Sequence, residues 1–132
     1  MDAATRELVI RRARGCGEYC LIPQAAAPFL TFHVEHILAQ QHVQDDSLDN
    51  LALACPHCNR FMGPNLTTID PDSRKFVRLF HPRQDTWETH FEYQGALLVG
   101  RTDVGSATVR LLQMNSADRI SMRAELMRIG EM

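Results

Sequence analysis

Apolar and polar positions change their spacing several times along the chain, and each change predicts an element. Thr5 to Arg14 reads as a helix, with Leu8 and Ile10 among basic residues. Its last turn is positively charged, which suits the helix dipole, and Gly15 and Gly17 follow to end it. Cys16 to Cys20 forms a tight knuckle, and Leu21 to Phe29, with two prolines, reads as loop. Thr31 to Ile37 is β-branched and aromatic and predicts a strand. Residues 39 to 49 are polar and predict a loop, after which Leu51 to Ala54 returns as a second strand. Proline is tolerated in a first helical turn, so a helix should begin near Pro56 and stop before Gly63-Pro64.

The second half alternates differently. Thr68 to Ser73 predicts a turn. Lys75 to Phe80 sets Phe76, Arg78 and Phe80 against Val77 and Leu79, a strand pattern. Phe91 to Tyr93 and Ala96 to Val99 predict a hairpin around Gln94-Gly95. Asp103 to Gln113 fits a helix capped by Thr102, with Val104, Ala107 and Leu111 on one face. Ser116 to Ile129 fits another, capped by Asn115 or Ser116, with Ile120, Ala124 and Met127 as its stripe. Residues 85 to 132 hold no catalytic pattern and read as an α+β buttress, and no repeat or low-complexity linker interrupts the chain.

Composition narrows the class. A length of 132 residues with 45% apolar and 23% charged content suits one soluble globular domain, residues 1–132. No apolar run reaches the roughly 18 residues of a membrane span, and the charged N-terminus has no signal-peptide core, so a cytoplasmic location is expected. In that compartment four cysteines point to metal rather than disulfides. The net charge of -2 does not advertise a nucleic-acid binder, but the distribution helps. Arg74, Lys75, Arg78 and Arg83 occupy a stretch without acids, and Arg11, Arg12 and Arg14 form a second cluster. Of the 14 basic residues 13 are Arg, which suits bidentate phosphate contacts.

The chemistry lies in Glu35-His36, Asn50-Leu51 and Cys55-x-x-Cys58-Asn59. One short segment thus supplies an oxygen ligand, a general base and a second oxygen ligand. Breaking a phosphodiester requires an activated water, charge neutralisation and help for the departing oxygen, and a divalent ion covers the last two. Glu35 and His36 face opposite sides of a regular strand, so both approach one phosphate only if the strand ends or bulges there. Cys55-x-x-Cys58 is a standard zinc half-site, and no thioredoxin-like pattern surrounds it.

These motifs resemble the HNH endonuclease superfamily, in particular its compact bacterial members with two cysteine pairs around the nuclease motif. Pro23-Gln24-Ala25-Ala26-Ala27-Pro28-Phe29, Gly63-Pro64-Asn65-Leu66 and Leu79-Phe80-His81-Pro82-Arg83 extend the likeness from about Arg11 to Met127. The resemblance implies an α+β fold: a ββα-metal (His-Me finger) core with a zinc knuckle over about residues 16–66, then a C-terminal hairpin and helices over about 67–132. It implies Glu35 and Asn59 as ligands of a catalytic Mg²⁺ or Mn²⁺, His36 as the base, and Asn50 as the residue that holds the loop so that His36 points inward. It implies structural Zn²⁺ at Cys16, Cys20, Cys55 and Cys58. The partner implied is DNA, double-stranded; the basic stretch without acids offers Arg74, Lys75 and Arg78 as contacts, and Arg60, next to Asn59, is a further one.

Two departures stand out. The family's first cysteine pair is usually C-x-x-C, whereas Cys16 to Cys20 is C-x-x-x-C with Gly17 at the usual position, and Gly15 and Gly17 would have to absorb the extra residue. Met62 stands where lysine is common, on a helical face from which a side chain is expected to reach along the groove toward phosphate, unless it packs in the core, where a lysine would bury a charge. Met62 and the acidic balance motivate a competing reading, a zinc-stabilised nucleic-acid-binding module with weak or lost catalysis. A purely structural zinc protein would leave Glu35, His36 and Asn59 unexplained.

Overall fold

Asp2 starts the first helix by accepting the Thr5 amide at 2.7 Å, and α1 runs Ala3–Arg12. It ends two residues earlier than expected because Arg14 and Gly15 turn left-handed at φ 55 and 71. Their amides bond back to Arg11 and Ile10, closing the orphan carbonyls of the last turn. The computed structural model describes residues 1–132, and the chain forms two compact units, Met1–Pro64 and Asn65–Met132. No helix is long and apolar enough to cross a membrane.

In the first unit, β1 (His33–His36) pairs antiparallel with β2 (Leu51–Ala54), in the register His33 with Ala54 and His36 with Leu51. β1 is shorter than the sequence suggests. The Gln24 side chain takes the place of a strand neighbour before it, accepting the Phe32 amide at 2.7 Å and donating to the Ala27 and Leu30 carbonyls. All four residues of β2 are buried. α2 (Pro56–Met62) follows directly and stops at Gly63, whose φ of 51 suits glycine. Arg12 of α1 donates to the Leu48 and Leu51 carbonyls at 2.9 and 2.7 Å, so this basic residue is structural.

The second unit pairs β3 (Thr67–Ile69) with β4 (Phe76–Arg78), and β5 (Phe91–Gln94) with β6 (Leu97–Gly100). Thr68 and Ile69 therefore lie in a strand, not in the turn expected for them. The turn itself is built by Asp70, whose carboxylate accepts the Asp72 and Ser73 amides. Gly95, at φ 60, makes the β5–β6 turn where Gln94-Gly95 was expected. A short helix, α3 (Trp87–His90), was not legible. α4 (Asp103–Leu111) is capped by Thr102, which accepts the Gly105 amide at 3.0 Å.

α5 (Ala117–Arg128) turns a different face inward from the one expected: Arg119, Arg123 and Leu126 are buried, while Ala124 is exposed. The cause is Arg123. Its fully buried guanidinium donates to the Ala96 carbonyl at 3.0 Å, the Met114 carbonyl at 2.6 Å and the Asn115 side-chain oxygen at 2.9 Å, and it lies over the Tyr93 ring. A charged residue thus occupies a position that an apolar pattern assigns to surface.

α4 approaches the α3–β5 corner so closely that only glycine fits at its third position. A Cβ on Gly105 would lie 1.9 Å from the His90 carbonyl oxygen, which is backbone and cannot rotate away. Gly105→Ala is expected to destabilise the protein by about 3 kcal/mol or more, as overpacking against a fixed backbone does. A thermal melt followed by circular dichroism checks this; an unchanged midpoint would mean that α4 shifts freely.

Candidate functional site

The hairpin and helix of the first unit present β1, a polar loop, β2 and α2 in sequence, and Asn50 holds this arrangement at the loop's end. Its side-chain oxygen accepts the Leu38 amide at 2.8 Å, and its amide nitrogen donates to the Leu38 carbonyl at 3.1 Å and the Asp45 carbonyl at 2.8 Å. Its own carbonyl accepts the Ile37 amide at 2.8 Å. At 3% exposure Asn50 is part of the core, and its three side-chain bonds leave the loop little freedom to leave β1.

β1 ends at His36, the point at which a side chain can depart from strand alternation. The His36 Nε2 lies 2.7 Å from the Asp46 carboxylate; the ring is 19% exposed and the acid 83%. Asp46 was not singled out by the sequence, because a carboxylate ten residues on in a loop obeys no spacing rule. Glu35 lies on the other side of the strand. Burial pushes its carboxyl up to about 7, against the lowering effect of a hydrogen bond with Tyr19, and the Cys55 thiol adds to the rise. Its Oε1 is buried with no hydrogen-bond partner. A buried carboxylate oxygen with nothing to bond is costly unless a cation arrives. Tyr19 also escaped the sequence reading, hidden inside the cysteine knuckle.

Asn59 is half-buried in α2, one turn after Cys55. Glu35 and Asn59 would each offer an oxygen, the donor type that a hard divalent ion takes. Of the basic residues expected to meet DNA, Arg60 is exposed with its guanidinium 5.2 Å from the Phe61 ring centre. Arg74 and Lys75 are exposed in the β3–β4 turn. Arg78 is engaged instead: it holds Asp85 through two bonds of 2.7 and 3.1 Å, and Asp85 also accepts the His81 amide. Met62 corrects a further expectation. It is only 5% exposed and packs inward, so it does not reach along a groove, and a lysine there would bury a charge.

The four cysteines divide three and one. The sulfurs of Cys20, Cys55 and Cys58 lie within 4.8 Å of one another, all buried. Cys16 stands apart, half-buried, with its thiol 3.6 Å from the Arg14 carbonyl and its backbone bridged to Pro23. The extra residue in the knuckle is therefore not absorbed; it leaves Cys16 out of the group. The knuckle reaches the helix cysteines by docking on β2, where the Glu18 amide donates to the Leu53 carbonyl and the Glu18 carboxylate accepts the Leu53 amide, both at 2.8 Å. The Cys20 and Cys55 sulfurs are 3.7 Å apart. A tetrahedral ion with Zn–S bonds of about 2.3 Å sets neighbouring sulfurs about 3.8 Å apart, so the spacing fits zinc. Contacts with the Cys20 and Cys55 thiols, together with burial, push the Cys58 thiol well up, so a soft ion displaces protons when it binds.

A strand hairpin leading into a helix, with an acid–histidine pair at the end of the first strand and a thiol group at the helix start, defines a ββα-metal protein of mixed α+β fold. Residues 16–63 match the family model described as HNH endonuclease. No curated protein and no solved structure matches the chain.

Asn50→Asp keeps the size of the side chain but turns two donated bonds into oxygen facing oxygen. Buried carbonyls left unpaired cost about 1–3 kcal/mol each, so stability is expected to fall by roughly 2–4 kcal/mol. Urea unfolding measures this, and a loss under about 0.5 kcal/mol, the ordinary surface range, would show that the loop does not depend on Asn50.

Proposed function

We propose that the protein is a divalent-metal-dependent endonuclease that hydrolyses phosphodiester bonds of double-stranded DNA. The observation that carries this reading is the succession, within the matched residues 16–63, of a Glu35 with a buried oxygen that has no hydrogen-bond partner and a His36 at the strand's end, paired with Asp46. Glu35 and Asn59 would hold the catalytic ion, Mg²⁺ or Mn²⁺. When bound, such an ion neutralises charge on the phosphate and the departing oxygen. His36 takes a proton from the attacking water. With its Nε2–H donated to Asp46, the imidazole keeps Nδ1 as the basic nitrogen, and the carboxylate steadies the ring once it is protonated. Asn50 fixes the loop that carries Asp46. Arg60, Arg74 and Lys75 are free to meet phosphates, whereas Arg78 would first have to leave Asp85. Cys20, Cys55 and Cys58 would hold a structural Zn²⁺, which would fasten the knuckle to the start of α2.

The ion pair of Arg78 and the inward Met62 favour a second reading, a zinc-stabilised nucleic-acid-binding module with weak catalysis. Plasmid nicking with Mg²⁺ or Mn²⁺, against EDTA, separates the two. His36→Ala is expected to lower the nicking rate by roughly 10²–10⁴-fold, the usual share of a general base, with the circular dichroism spectrum and zinc content unchanged. Full activity in that variant would overturn the mechanism, and DNA binding without metal-dependent nicking in the parent protein would favour the second reading.

A further inference from the structure

The cysteine site has a corner to which the expected fourth residue does not contribute. Residues 17 and 20 repeat the spacing of Cys55 and Cys58, yet position 17 is glycine. A Cβ built on Gly17 would lie 3.2 Å from the Cys20 sulfur, 3.4 Å from the Cys55 amide nitrogen and 3.7 Å from the Phe32 ring. Position 17 therefore faces the thiol group directly. Its backbone lies outside the left-handed region, so a side chain is not barred there by conformation. Cys16 faces elsewhere, and its route inward is closed by the chain around it. The Gly17 amide donates to the Ile22 carbonyl at 3.0 Å, the Leu21 amide donates to the Gly17 carbonyl at 2.9 Å, and Cys16 itself bridges Pro23.

We infer that the fourth corner of the thiolate site lies beside Gly17 rather than at Cys16, so that a bound zinc ion keeps one exchangeable, water-sized donor that the protein does not supply. This rests on the zinc reading given above. Three thiolates cover three corners of a tetrahedron, and zinc seldom stops at three ligands in proteins. A Cβ at position 17 already meets the Cys20 sulfur at 3.2 Å, so a water or a small-thiol sulfur enters this corner as its neighbours give by a few tenths of an ångström. Phe32 supplies an apolar wall, which favours sulfur over a charged oxygen donor.

Co²⁺ loaded into the full chain serves as the probe, because the intensity of its sulfur charge-transfer bands counts thiolate ligands. The parent protein is expected to show three, and added 2-mercaptoethanol to raise the band by one thiolate's share, roughly a third. Cys16→Ser is expected to behave as the parent does. Gly17→Cys is expected to start at the four-thiolate level, to ignore the added thiol, and to hold zinc roughly tenfold or more tightly, since even outer partners of a ligand are worth 10–100-fold. Should Gly17→Cys fail to fold, the parent and Cys16→Ser decide the matter. A four-thiolate spectrum that Cys16→Ser reduces would place Cys16 at the corner and overturn the inference. A three-thiolate spectrum that ignores the thiol would mean that a protein oxygen fills the corner, which also overturns it. No uptake of Co²⁺ or Zn²⁺ at all would remove the zinc reading itself, and the inference with it.

Discussion

β2 is the constraint on which the first unit depends. Four consecutive residues, each with an exposure of 1% or less, must pair every backbone group without water. β1 serves one edge through the antiparallel register. Glu18 serves the other, using its amide and its carboxylate as a strand would use an amide and a carbonyl. Arg12 reaches in from α1 to take the Leu51 carbonyl. Those three partners are also what the site requires: β1 carries Glu35 and His36, Glu18 brings Cys20, and the strand's end delivers Cys55. Satisfying a buried strand and assembling the chemistry are one act of folding.

That economy explains why hard and soft donors sit so near each other. Glu35 hydrogen-bonds to Tyr19, which lies between Glu18 and Cys20 in the knuckle, and the Glu35 carboxyl feels the Cys55 thiol. The carboxylate on one side of β1 and the thiols beyond it therefore share a dry interior, where like charges raise each other's proton affinity. An ion bound on the sulfurs would lower the proton affinity of the carboxylate as well, because both lie in the same low-dielectric interior.

Much of this was legible from the residues. Leu51–Ala54 and the helix from Pro56 to Met62 follow from an apolar run, a proline at a helix start and a glycine at its end. The Gln94-Gly95 turn and the Thr102 cap follow from local chemistry. What escaped has a common cause: side chains that act over long separations. Gln24 shortens β1 from eight residues away, Asp46 finds His36 from ten, and Glu18 docks on Leu53 from 35. Local pattern contains no trace of such pairings. Cys16 shows the converse. The resemblance implied four cysteine ligands; the structure groups Cys20, Cys55 and Cys58 and leaves Cys16 outside, in a tightly bonded turn one residue longer than the family's.

Arg123 gives the second unit an unusual property. A guanidinium keeps its proton at any pH a protein survives, and its fork spans three oxygens that a lysine could not reach together. The β5–β6 hairpin, the α4–α5 junction and α5 itself are thereby tied to a centre that neither acid nor mild alkali can discharge. The two halves of the chain consequently answer to different variables. The thiol group and the buried Glu35 carboxyl lie in the first unit, whereas Arg123 gives the second a tie that no ordinary change of pH discharges.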